Sequence, residues 1–286
     1  MVSLELQARL DNLLSTAQAE TADIDLFTPI AEKEECPLCL IPLPLTESEI
    51  VFMPCCGKNI CIGCTYKQTM NDVEKGVKQY EQKCAFCRQP SNNNYIKLLK
   101  KLMKKNVPNA YMQMACLYRD GDEGAMQSYT RALEMLIRVA ELDHPPAFGM
   151  IGKFYYDGNA VDVDRSKALA FYEIAAKKGD IVTRRLIIVE IWDNHGSKLL
   201  IKHLKVIASA GCKGSMDKLM QFYSHWKELL LSKEELTQTL RAYQASSNEM
   251  KSKDRDEAIA CMFQASSNEL KSKDRDDARE LRQRQH

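Results

Sequence analysis

Eight of the chain's eleven cysteines fall between residues 36 and 87, and they fall in pairs. The pairs are Cys36 and Cys39, Cys55 and Cys56, Cys61 and Cys64, and Cys84 and Cys87. A gap of two residues lets both sulfurs of one turn reach a single tetrahedral ion, and four thiolates fill the shell of zinc. Eight thiolates therefore point to two zinc ions, each fully ligated. A closed shell leaves no position for a substrate or a reactive water. It predicts a structural role for the metal, with any activity coming from a shaped surface.

The competing reading of paired cysteines is a disulfide framework. Metal-ligand spacing weighs against it. So does the N-terminal stretch Met1 to Glu20, which lacks the basic start and apolar run of a secretory signal. A cytoplasmic or nuclear setting, with reduced thiols, is the expectation. No run of about 18 uncharged apolar residues occurs, so no membrane span is expected. The 286 residues carry a net charge of +1, which gives no bulk electrostatic case for nucleic acid or anionic membrane.

Composition divides the chain. Residues 1–35 open with Val2, Leu6, Leu10, Leu13, Leu14 and Ala17, a single helical stripe that predicts a terminal helix, frayed or docked, followed by an extended linker through Pro29. Residues 36–90 hold the zinc region. Within it, Glu49 to Met53 reads as a strand, and Tyr66, Met70, Val73, Val77 and Tyr80 read as a helix packed on the metal core. A segment this small buries little apolar surface, so metal must supply much of its stability. Residues 91–106 form a linker helix whose five lysines, from Lys97 to Lys105, read as its solvated face.

From residue 107 to 245 the pattern repeats. The run Asn109 to Tyr118 resembles Pro146 to Tyr155, and each continues to a glycine, Gly121 and Gly158. Second helices follow at Arg131-Ala132-Leu133 and Lys167-Ala168-Leu169. Further starts at Thr183 and Ser215 complete a period of 37, 36 and 32 residues, counted from Ala110 and Ala147. Helix pairs of this length cannot bury their own faces and must stack on neighbours. Small residues at Ala140, Ala175, Ala176 and Ala208 permit close approach. The remaining residues, 246–286, are strongly charged. They contain a tandem copy: Gln244 to Asp256 recurs 20 residues later as Gln264 to Asp276, with Leu270 in place of Met250. A solvated end, partly helical or disordered, is expected there.

The order and spacing of the cysteines resemble the RING finger family over about residues 35–90. That resemblance implies a cross-brace: Cys36, Cys39, Cys61 and Cys64 on the first zinc, and Cys55, Cys56, Cys84 and Cys87 on the second. Family members usually place a histidine in the central pair. Here Lys58 stands nearby, its ammonium has no lone pair to give, and no histidine precedes His144. Ligation by both Cys55 and Cys56, with Gly57 easing the turn, gives an all-cysteine variant. The alternative is that Cys55 only packs and one site is incomplete. Lys58 and Lys83 could offset some of the thiolate charge.

The resemblance implies a ubiquitin transferase that forms no covalent intermediate. It would hold a ubiquitin-charged conjugating enzyme in a reactive pose, and catalyse by positioning. Leu38 and Phe86 would line the groove for that enzyme. Arg88, directly after the last cysteine, would bridge enzyme and ubiquitin with its planar fork of donors. No residue is assigned a catalytic role. The repeats resemble Sel-one-like repeats, relatives of the tetratricopeptide repeat, and imply recruitment of a protein substrate. The fold expected is mainly α, a small two-zinc domain followed by an α-helical solenoid. A non-catalytic zinc-binding interaction scaffold is the alternative function. Nucleic-acid binding is disfavoured by the charge balance. His195, His203 and His225 form no recognisable site.

Overall fold

A computed structural model describes residues 3–28, 33–45, 47–78, 82–90, 94–194, 197–226 and 231–262. These divide into two compact units. One takes the described residues within 3–34, 52–58 and 94–249, and the other those within 35–51, 59–90 and 250–262.

The first unit is helical. Helix α1 (Leu4–Glu20) starts at Ser3, whose side chain accepts from the Leu6 N–H. The stripe read from the sequence docks: Leu6, Leu10 and Ala17 are buried, in one core with residues of α5 (Tyr129–Glu141), α6 (Pro145–Asp157) and α7 (Arg165–Lys177). Helix α3 (Tyr95–Met103) is capped by Asn94 and buries Leu99 and Leu102, while its lysines face water.

Pairs of helices then follow: α4 (Pro108–Asp120) with α5, α6 with α7, α8 (Ile181–Asn194) with α9 (Ser197–Ser209), and α10 (Lys213–Trp226) with α11 (Lys233–Glu249). The first members begin two residues before Ala110, Ala147, Thr183 and Ser215, so the observed period equals the expected one. In the first two pairs the same local rules recur. Pro108 and Pro145 occupy the first helical turn, where a missing N–H costs nothing. Gly121 and Gly158 close those helices at φ +78° and +74°, a region that disfavours side chains. Ser128 and Asp164 then cap α5 and α7 by accepting from the N–H groups of Arg131 and Lys167.

Two glycines of α6 lie tight against neighbouring helices. A Cβ on Gly149 would fall 1.8 Å from Thr183 Oγ1, and one on Gly152 would fall 2.7 Å from the Tyr172 ring and 2.9 Å from the Ala168 carbonyl oxygen. Arg184 and His203 are interior as well. Arg184 donates to the carbonyls of Leu26 and, at 2.7 Å, Ala176. His203 is fully buried with its ring edge-on to Phe27 at 5.0 Å. His195, Pro29 and Tyr80 lie outside the described residues, and His225 is exposed.

Strand β1 (Ile50–Met53) forms where the apolar run before the central cysteines predicted it, and it pairs with β2 (Lys58–Cys61), which was not foreseen, in a two-stranded sheet. Helix α2 (Ile62–Glu74) begins inside the third cysteine pair. It is shorter than its apolar stripe suggested. Gly76, at φ +68°, lies beyond its end, so Val77 is not part of it. Met70 and Val73 are exposed rather than packed on the metal core. The sequence up to Asp256 is not uniformly solvated either. Residues 253–262 are helical, with Arg255 and Ala258 buried.

Candidate metal centre and its loops

The first cysteine pair sits on a loop whose backbone folds back on itself. The Cys36 N–H donates to the Ile41 carbonyl at 3.0 Å, and the Leu40 N–H donates to the Cys36 carbonyl at 2.9 Å. Leu40 takes φ +58°, and an antiparallel bridge from Glu35 to Pro42 closes the loop. The last pair repeats this residue for residue. The Cys84 N–H donates to Gln89 at 2.8 Å, the Arg88 N–H donates to Cys84 at 3.1 Å, Arg88 takes φ +60°, and Lys83 bridges Pro90. Such a turn points amide hydrogens at its first sulfur. The N–H of Cys87 lies 3.5 Å from Cys84 Sγ, and the N–H of Cys61, from the neighbouring strand, lies 3.5 Å from Cys36 Sγ.

These loops gather Cys36, Cys39, Cys61 and Cys64 into one group, with all sulfurs within 4.8 Å of one another. The cross-brace resemblance implied this set for its first zinc. Cys55 and Cys56 lie just beyond β1. Gly57 follows them at φ +74°, and its N–H returns to the Met53 carbonyl at 2.7 Å, so the adjacent pair is turned by a residue without a side chain.

The first group can be tested against a tetrahedral ion. Zinc-sulfur bonds of about 2.3 Å place tetrahedral sulfurs about 3.8 Å apart. Cys39 and Cys61 are 3.8 Å apart, and Cys36 and Cys64 3.9 Å. A disulfide needs about 2.05 Å, and none of the eight cysteines is disulfide-bonded. One thiol of the group is arranged for ionisation. Burial alone would push Cys36 up, but the N–H groups of Cys61, Cys39 and Leu38 aimed at its sulfur bring it down to about 7. Burial, reinforced by the other thiolates, raises Cys39 and Cys64. The first group fits a thiolate-seeking tetrahedral metal ion.

The surface residues expected from the sequence lie on the same two loops. Leu38 and Phe86 occupy the third position of their Cys-x-x-Cys turns and are 39% and 41% exposed, which is high for large apolar side chains in so small a unit. Arg88 is exposed, and its Nη1 donates to Gln68 Oε1 of α2 at 3.1 Å. Lys58 is exposed on β2. The charge that reaches the first site comes instead from Arg255, whose Nη2 lies 3.8 Å from Cys39 Sγ. Burial opposes its charge, yet the sulfurs of Cys61 and Cys39 hold the guanidinium above its ordinary range. Nothing in a highly charged, duplicated stretch marks this arginine from its neighbours.

Comparison with known proteins places the repeats. Residues 108–144 and 150–180 match the Sel1 repeat model, which covers α4 to α7. No RING-type family is detected in the cysteine region, and no curated protein matches the chain. Among solved structures, the chain is similar to a Sel1 repeat protein from Oxalobacter formigenes, at 22% identity and TM-score 0.47, over 64% of this chain and 80% of that one. It is also similar to c5321, a protective antigen of uropathogenic Escherichia coli displaying an SLR fold, at 18% identity and TM-score 0.43, over 64% of this chain and 38% of that one. The described residues are mainly helical, and residues 108–144 and 150–180 carry Sel1 repeats. Stacked helix pairs offer extended concave surfaces of a kind that binds protein partners.

Proposed function

We propose that this chain is a zinc-dependent, RING-type ubiquitin-protein ligase whose helical repeats recruit the protein to be modified. One observation carries this reading. Two loops of matching backbone geometry, each anchored by a thiolate pair, hold Leu38 and Phe86 out to solvent on the same small unit. Two large apolar side chains held out on such loops offer a partner apolar surface to cover. An ion in each group would have no open coordination position, so it would organise the loops and take no part in bond making. Arg88, fixed beside the second loop and exposed, adds a planar donor fork next to the apolar contact. Such a surface would act by holding a ubiquitin thioester in a pose open to attack by a substrate amine.

The second reading is a scaffold that uses the same loops for protein contact alone. The Sel1 repeats favour it equally, because interaction surfaces are what they supply. A discharge assay separates the two. Zinc-loaded full-length chain should accelerate loss of ubiquitin from a charged conjugating enzyme to free lysine. Failure to accelerate any member of a broad enzyme panel would leave the scaffold.

A further inference from the structure

Arg255 is 216 positions from Cys39 in the chain, yet its guanidinium is built into the first loop. Nη1 donates to the Pro42 carbonyl at 2.7 Å and to the Met250 carbonyl at 3.1 Å. Nη2 donates to the Ile41 carbonyl at 3.2 Å and reaches Cys39 Sγ at 3.8 Å. The residue is only 3% exposed. A cation is kept this dry only where opposite charge and acceptors surround it. Four thiolates around a divalent ion leave about two negative charges, and the carbonyls of Ile41 and Pro42 supply the acceptors.

The neighbouring backbone is shaped to receive the segment. Gly63 lies between Cys61 and Cys64, and a Cβ there would stand 2.6 Å from the Arg255 nitrogen and 2.8 Å from the Asp254 carbonyl carbon. Only glycine leaves that space. Asp254 pairs with Lys67 of α2 at 3.0 Å, an exposed contact that sets register more than it adds stability. Ala258, one turn on, is buried.

We propose that Arg255 is the outer-shell partner of the first metal site, and that the segment carrying it belongs to the metal-holding unit. Resting on the reading of Cys36, Cys39, Cys61 and Cys64 as ligands, this gives the C-terminal segment a task. It neutralises the thiolate cluster and ties the Ile41–Pro42 return arm of the loop that presents Leu38. Lysine could not do the same, since one ammonium cannot span both carbonyls and the sulfur in a plane.

The string Lys251 to Asp256 recurs as Lys271 to Asp276, and Ala258 has its counterpart in Ala278. The second copy thus carries the groups needed to replace the first, so the test changes both arginines. Full-length chain is loaded with zinc, its metal content is counted by native mass spectrometry, and release to a chromogenic chelator is followed. Wild type should hold two ions. In Arg255→Gln/Arg275→Gln, one ion should be missing or leave at least about tenfold faster, the usual effect of losing an outer-shell partner, while the other leaves at the wild-type rate. Gly63→Ala, which keeps every thiolate and both arginines, should give the same one-ion effect by unseating the segment. Two ions leaving at wild-type rates from both variants would overturn the assignment of Arg255 and leave the metal reading standing. A wild-type chain without metal on the first cysteine group would overturn both.

Discussion

Leu38 and Phe86 stand at the same place in two loops of the same construction. Each is the third residue of a Cys-x-x-Cys turn, each is followed two positions later by a residue at φ near +60° (Leu40 and Arg88), and each turn is closed by the same pair of backbone hydrogen bonds. The chain therefore builds one apolar ledge twice, 48 residues apart by number (86 minus 38). Both ledges are exposed, and neither side chain contributes to a core.

If these ledges dock a conjugating enzyme, Leu38→Ala should lower the rate of ubiquitin discharge by about tenfold or more, the loss of a central apolar anchor worth roughly 1.4 kcal/mol or above. Phe86→Ala should act in the same direction. Metal content should stay at the wild-type value, because neither side chain is a ligand. Discharge that is unchanged in both variants would exclude these ledges as the docking surface.

The repeats should be intolerant of one added methyl group at α6. Gly152 lies against the Tyr172 ring and the Ala168 carbonyl oxygen, and the latter, being backbone, cannot swing away. Gly152→Ala gains about 1 kcal/mol of helix propensity but overpacks a tight crossing, at a cost of 1–3 kcal/mol or more. A net destabilisation of about 1–2 kcal/mol is expected, read as a lower midpoint in urea with little change in slope. A midpoint at or above wild type would show that α6 and α7 separate easily.

Stability should also fall on mild acidification, through His203. Burial first, and then the nearby Arg184 guanidinium, lower its pKa from 6.5 to about 4. Among the described residues, its two ring nitrogens have no hydrogen-bond partner. The unfolded chain takes up a proton below pH 6.5 while the folded chain resists until about pH 4. The contribution is therefore fully present above pH 6.5 and is lost as pH falls through this window, up to about 3 kcal/mol in total. Urea midpoints measured from pH 7 to pH 5 should decline, and His203→Leu should flatten the decline. An equally steep slope in the variant would place the titration elsewhere.

Much of this architecture could be read from residue order alone, for identifiable reasons. Helix pairs were legible because Pro108 and Pro145, Gly121 and Gly158, and the caps Ser128 and Asp164 act through short-range backbone chemistry. Cys-x-x-Cys spacing made the adjacent pairs legible, while the grouping of Cys36 and Cys39 with Cys61 and Cys64 came from the resemblance to a cross-brace. The extent of α2 was not. Tyr66, Met70 and Val73 have helical period, but periodicity reports amphipathic character and not the presence of a neighbour, and Met70 and Val73 meet water. Arg255 was hidden for the opposite reason. A stretch poor in apolar residues looks solvated, yet this arginine is buried by carbonyl oxygens and a sulfur, partners that no hydrophobic pattern announces.

Native mass spectrometry of the purified full-length chain tests the central claim most directly. Two closed all-thiolate sites predict a mass increment of two zinc ions with every cysteine reduced, falling to one ion in Cys56→Ser. A chain that carries no metal and keeps the same fold after chelation, or one whose mass reveals oxidised bridges among these eight cysteines, would contradict it.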